Sequence, residues 1–203
     1  MRDSSIGDDL PEVLEKYQIK ALPTRYNGIE YRSRIEARWA IFFDALRIKH
    51  EYEREGFDLG DGIQYLPDFW LPQQDCWVEI KGAEPDEDAC DKAYSLSAGT
   101  GKEVFVFFGA HEARTGIYGT TIEAGAYKFF PEGASDATYR WCECTQCGRF
   151  GIEFQGRSDR LPCKERDGKA GCRRSVHGDK GHAADTRRLL EAYNAARSMR
   201  FTR

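Results

Sequence analysis

Residues Tyr65 to Gly82, YLPDFWLPQQDCWVEIKG, constrain the fold of this 203-residue chain more than any other stretch. Ile63 to Leu71 and Cys76 to Lys81 are rich in aromatic and β-branched residues, and Pro72, Gln73, Gln74 and Asp75 between them are turn formers, so the stretch predicts a β-hairpin. With those four residues in the loop, Leu71 pairs with Cys76, Trp70 with Trp77, Phe69 with Val78 and Asp68 with Glu79. Side chains alternate along a strand, which puts Leu66, Asp68, Trp70, Trp77, Glu79 and Lys81 on one face. Tyr65, Phe69, Leu71, Val78 and Ile80 then form the expected core face. Directly opposed Cβ atoms lie about 4.5–5.5 Å apart, where two carboxylates repel. A hard divalent cation bound by carboxylate oxygens offsets that repulsion, and Lys81 stands beside it on the same face. The alternative is a solvated face bearing a surface Asp, Glu and Lys.

Pro67-Asp68, followed after ten residues by Glu79-Ile80-Lys81, resembles the signature of the PD-(D/E)XK nuclease superfamily. The resemblance implies that Asp68, Glu79 and the Ile80 carbonyl hold Mg²⁺ or Mn²⁺ and that Lys81 assists phosphodiester hydrolysis. It also implies an α/β fold with a restriction-endonuclease-like core ordered helix, three antiparallel strands, helix, strand. The resemblance is compatible with a homing-type or phage-encoded endonuclease, and no residue decides the substrate.

The flanking sequence supplies such elements in that order. Ser33 to Leu46 predicts a helix, with Ser33 and Glu36 spaced as a capping box and Ile35, Trp39, Phe42, Phe43 and Leu46 forming one apolar stripe. Glu36 lies at the edge of that stripe. The resemblance implies that an acid there reaches the metal, whereas the capping box would turn the same side chain back to Ser33. His50 to Leu59 predicts a strand interrupted at Gly56, followed by a turn at Gly60-Asp61-Gly62. A second helix is predicted over about Asp86 to Leu96, with Lys92 and Ser95 on its outer surface. Glu103 to Phe108 has no polar alternation, as expected of a strand buried on both faces. Gly109 to Gly133 predicts no element.

Five of the seven cysteines lie between Trp141 and Cys172. Cys144-x-x-Cys147-Gly has the spacing of a knuckle that places two thiolates on one Zn²⁺, and Cys163 and Cys172 offer a second pair. With strands from Phe150 to Gln155 and at Leu161, the segment resembles a zinc ribbon. Cys142, His177 and His182 are alternatives to Cys172 as fourth ligand. Four protein ligands leave no position for substrate, so the site is expected to be structural.

The formal charge of −4 hides an asymmetry: residues 149–203 hold 14 Lys and Arg against 7 Asp and Glu, and residues 1–148 hold 16 against 27. The basic tail is the expected contact for a polyanion, DNA in the first instance with RNA left open. A last helix is predicted over about Asp185 to Phe201. The expected organisation is an extension over 1–30, a nuclease core over 31–135, a zinc-ribbon-like module over 136–182 and the C-terminal helix over 183–203. The N-terminus lacks a signal-peptide pattern and no apolar run is long enough to span a bilayer, so a reducing cytoplasmic setting without membrane contact is expected. Oligomeric state is left open, a dimer included. The contrasting function is a nucleic-acid-binding protein whose zinc ribbon does the work.

Overall fold

A computed structural model describes residues 21–109, 113–116, 119–122, 125–135, 139–154, 157–160 and 181–201. The architecture is mixed α/β. Two small strands, β1 (Thr24–Tyr26) and β2 (Ile29–Tyr31), lead into helix α1 (Arg34–Leu46). There follow β3 (Glu51–Tyr52), β4 (Phe57–Asp58), β5 (Gln64–Tyr65), β6 (Phe69–Leu71) and β7 (Cys76–Lys81), then helix α2 (Glu87–Thr100) and β8 (Glu103–Phe108). A hairpin of β9 (Ala113–Gly116) and β10 (Gly119–Ile122) precedes β11 (Gly125–Phe130) and β12 (Gly133–Ser135). The chain closes with β13 (Tyr139–Cys144), β14 (Phe150–Phe154), β15 (Arg157–Arg160), β16 (His182–Ala183) and helix α3 (Arg187–Ser198).

The central sheet has six strands in the order β12-β11-β8-β7-β6-β3. β6 and β7 pair as Leu71 with Cys76, Trp70 with Trp77 and Phe69 with Val78, the register expected from a four-residue turn. β8 runs parallel to β7, a pairing that needs a long crossover, and α2 supplies it. β8 is buried from Val104 to Phe107, as its unbroken apolar run requires.

One face of the sheet, with Phe69, Leu71, Val78, Ile80, Phe105 and Phe107, packs on α1. Ser33 caps α1, its Oγ accepting the Glu36 N–H at 3.3 Å, and the stripe Trp39, Phe42, Phe43 and Leu46 is buried. The four-stranded sheet β15-β14-β13-β16 and helix α3 close over the same core: Tyr139, Trp141, Ile152 and Tyr193 belong to it, and the Tyr193 ring lies 4.5 Å from that of Phe42. The other face carries a second core of Trp70, Trp77, Val104 and Val106 under Ala93 and Leu96 of α2. That face was expected to be the open, charged one. Charge on that face follows Trp77 at the C-terminal end of β7, and Glu51 of β3 stands opposite Trp70.

Several elements differ from expectation. Pro67 breaks the strand predicted over Ile63 to Leu71, since proline has no N–H and restrains the residue before it. The break lets β5 leave the main sheet and pair with β4, so Tyr65 joins the second core instead of the face of Phe69. The strand predicted over His50 to Leu59 divides likewise into β3 and β4. Helix α2 runs four residues past Leu96 to Thr100, where Gly101 ends it in the left-handed conformation, φ 67°. β11 lies in the stretch from Gly109 to Gly133 that the sequence leaves unassigned, its Ala126 and Phe129 buried. Among the described residues no helix is long and apolar enough to cross a membrane.

Candidate active site

Continued by two pairs beyond Phe69 and Val78, the β6–β7 register sets Asp68 opposite Glu79 and Pro67 opposite Ile80. The Lys81 carbonyl accepts the Gly109 N–H at 3.2 Å, toward β8. Backbone groups alternate edges along a strand, so Ile80 turns its N–H and C=O toward β6. The Asp68 carboxylate takes that N–H, Ile80 N to Oδ2 2.7 Å. Pro67, opposite, has no N–H to offer the Ile80 carbonyl. A carboxylate, a carbonyl without a ladder donor and the Glu79 side chain therefore meet at one strand edge.

Each acid is held by donors. Asp68 is 2% exposed, and its Oδ1 accepts from Arg32 Nη2 at 2.7 Å. Glu79, 5% exposed, accepts from Lys81 Nζ at 2.8 Å and from the Tyr65 hydroxyl at 3.0 Å. Glu36 accepts the Ser33 hydroxyl at 2.6 Å on Oε1, and the Tyr52 hydroxyl at 2.7 Å and the Arg32 N–H at 3.1 Å on Oε2. Capping and reaching a metal are expected to exclude one another for Glu36, and the side chain is engaged by Ser33. The side chain makes the cap contact through the Ser33 hydroxyl and still lies close enough to Asp68 to act on its charge.

Burial first, then Glu79 and Glu36, hold the Asp68 carboxyl well above the usual carboxylate range, against the Ile80 N–H and the Arg32 guanidinium. For Lys81 burial lowers the pKa, and Glu79 followed by Asp68 more than reverses this, leaving the ammonium more firmly protonated than an ordinary lysine. Burial and the neighbouring Glu79 also raise Tyr65 far above its normal value, so its hydroxyl remains a donor.

A carboxyl with a raised folded pKa contributes stability that is complete below its unfolded value of about 3.9 and is lost as pH rises through the folded value. Asp68→Asn removes the charge. In metal-free buffer the variant is expected to be more stable than the native protein at pH 8, by roughly the 0.2–1 kcal/mol of a like-charge cross-strand pair, with the gap closing toward about pH 4. Melting curves across that range check it. A variant that melts lower at pH 8 would mean that the Arg32 ion pair outweighs burial and repulsion.

A cavity of about 510 Å³ opens beside these groups, lined by Arg32, Tyr65, Glu79, Lys81, Glu84 and Lys92 among others. Lys92 is paired with Asp88; Ser95 is not part of the lining. A second cavity of about 650 Å³, bordered by Ser33, Ile35, Glu36 and Ile80, shares Lys81, Gly82 and Ala83 with the first. The end of β7 thus forms a ridge between two recesses. Arg32, Tyr52 and Tyr65 were not anticipated from the sequence. The signal for Tyr65 was Pro67, which resets the alternation that assigned it to the other face.

The cysteine pair lies on the β13–β14 turn. Gly148 N–H donates to the Cys144 carbonyl at 2.9 Å with Gly148 at φ 69°, and Cys144 N–H donates to the Arg149 carbonyl at 2.8 Å. Cys144 is buried and Cys147 exposed, and Cys142 is buried two residues before the turn. His182 pairs with Cys144 across β13–β16, and its Nε2 lies 3.2 Å from Glu153 Oε2. Cys163, Cys172 and His177 lie outside the described residues. Among the described residues, no three His, Cys, Asp or Glu side chains are gathered closely enough to grip an ion as they stand. At the strand edge the donor chemistry nonetheless suits a hard cation: all candidate ligands are oxygens, and two of them belong to buried carboxylates. No family model matches the chain, and no curated protein and no solved structure matches it.

Proposed function

We propose that this chain is a divalent-metal-dependent nuclease of the PD-(D/E)XK type, hydrolysing phosphodiester bonds in DNA. The observation that carries the reading is the meeting of Asp68, Glu79, Lys81 and the unladdered Ile80 carbonyl at one strand edge, from which Glu79 and Lys81 line an open cavity. The order α1, then β3, β6 and β7, then α2 and β8 agrees with a restriction-endonuclease-like core.

Asp68, Glu79 and the Ile80 carbonyl are the residues that would hold Mg²⁺ or Mn²⁺. Once bound, the ion supplies Lewis acidity toward a phosphoryl oxygen and lowers the pKa of water. Asp68 is oriented for this by the Ile80 N–H, and Glu79 by the Tyr65 hydroxyl. Lys81, being protonated at neutral pH, acts as a donor to negative charge developing on the phosphate and not as the base. Glu36 completes the negative field around the site.

Supercoiled plasmid incubated with purified protein tests the reading directly. Conversion to nicked or linear DNA should require added Mg²⁺ or Mn²⁺. Protein that binds the plasmid yet leaves it supercoiled with either metal would favour the contrasting function, a zinc-ribbon nucleic-acid-binding protein.

The zinc part of the proposal rests on the Cys144-Cys147 turn, whose left-handed Gly148 matches a metal-binding knuckle. Metal analysis of protein purified without chelator should find about one zinc per chain, lost in Cys144→Ser and Cys147→Ser. Zinc-free protein with native circular dichroism would remove the ribbon.

A further inference from the structure

Two cations rest on the two acids. Arg32 Nη2 lies 2.7 Å from Asp68 Oδ1 and Lys81 Nζ lies 2.8 Å from Glu79 Oε1, so each buried acid has one cationic partner. The carboxylates are buried, 3% and 7% exposed at their side chains, whereas Arg32 and Lys81 are 53% and 37% exposed and line the cavity. Asp68 therefore has one fixed partner, the Ile80 backbone N–H on Oδ2, and one exchangeable partner, the guanidinium on Oδ1. Arg32 is further held by Glu53 at 2.7 Å and, weakly, by the Leu66 carbonyl at 3.4 Å. Its position just ahead of the Ser33 cap gives it a backbone anchored by Glu36 and Tyr52. The main chain is fixed and the charged head can swing.

The geometry points to Arg32 as a phosphate-binding side chain of this site, parked on Asp68 until a divalent cation replaces it, so that cation and phosphodiester bind cooperatively. The inference rests on the nuclease reading of the site. A divalent ion on Asp68 and Glu79 takes the place of Lys81 on Glu79 and of the Arg32 Nη2 on Asp68, leaving the fork edge of Arg32 open to the cavity while its Nε stays on Glu53. A phosphodiester is the complementary ligand, because guanidinium forks bind its oxygens two at a time. Lys92, the other cation lining the cavity, is already committed to Asp88. By linkage, a phosphate that draws Arg32 away must raise the affinity of Asp68 for the ion by the same factor that the ion raises affinity for the phosphate.

The test titrates Mn²⁺ into full-length protein, followed by electron paramagnetic resonance, with and without a single-stranded phosphorothioate oligonucleotide. In the native protein the oligonucleotide should tighten Mn²⁺ binding by about fivefold or more, within the usual range of coupling between sites. Arg32→Gln should bind Mn²⁺ more tightly than the native protein without oligonucleotide, and the oligonucleotide should then change its affinity less than about twofold. Arg32→Lys, which keeps the charge but not the fork, should bind Mn²⁺ as the native protein does and the oligonucleotide more weakly; it stands in should Arg32→Gln fail to fold. Unchanged or weaker Mn²⁺ binding by Arg32→Gln, or undiminished coupling, overturns the inference. Asp68→Asn separates this from failure of the nuclease reading. If that variant loses the Mn²⁺ site while Arg32→Gln behaves as native, only the role of Arg32 falls. If it binds Mn²⁺ as the native protein does, the ion is elsewhere and both readings fall.

Discussion

Glu79→Gln, Asp68→Asn and Lys81→Ala are each expected to lose Mg²⁺-dependent plasmid cleavage by on the order of 10³-fold, the scale seen when one electrostatic contact to a transition state is removed. The three losses have different physical origins. Asp68→Asn keeps an oxygen for the Ile80 N–H and so keeps the hairpin, but removes the charge needed for a divalent ion. Glu79→Gln likewise keeps an acceptor for the Tyr65 hydroxyl. Lys81→Ala leaves both acids intact and removes the cationic donor on Glu79, so its loss should fall on turnover more than on metal affinity. Glu36→Gln should cost less, because that side chain is committed to Ser33, Tyr52 and the Arg32 N–H. Steady-state cleavage rates with circular dichroism on each variant decide the matter. Full activity in any of the first three would take that residue out of the mechanism.

The sequence carried the hairpin register because two features reinforced one another: strand-forming runs on both sides and a loop of defined length between them. Once Leu71 was set against Cys76, Asp68 and Glu79 followed by counting. Helix α1 was equally legible, from Ser33 as cap and a stripe at helical spacing. What failed were inferences that alternation alone must carry across a break. Alternation assigned Tyr65 to the wrong face because Pro67 interrupts the strand, and it left Trp70 and Trp77 on a face assumed open when α2 covers them. Gln74 lies in the β6–β7 turn as expected, yet it is 3% exposed, and its Nε2 donates to the Phe150 carbonyl. Nothing local announces a contact across 76 positions of sequence. Arg32 was missed for the same reason: its partner Asp68 lies 36 residues away, and only folding brings them together.

Trp141→Ala is expected to lower the stability of the whole protein by about 3–5 kcal/mol, the usual cost of emptying a large aromatic site in a core. Trp141 is fully buried at the junction of the two sheets and α1, its ring 5.8 Å from Phe42, 5.6 Å from Phe43 and 6.3 Å from Phe107. It thus joins β13 to the helix that carries Glu36 and to the strand beside β7. Its indole N–H has no hydrogen-bond partner among the described residues, so Trp141→Phe, which keeps most of the apolar contact, should be much milder. Since α1 and β13 share this core with Tyr139, Ile152 and Tyr193, unfolding the second sheet exposes the face of α1 that the first sheet does not cover. Urea unfolding followed by far-ultraviolet circular dichroism and by the loss of plasmid cleavage should therefore show one coincident transition, moved to lower urea in Trp141→Ala. Two separate transitions, of which the variant moves only one while cleavage survives the first, would mean that the cysteine-bearing sheet folds on its own and that the site does not depend on it.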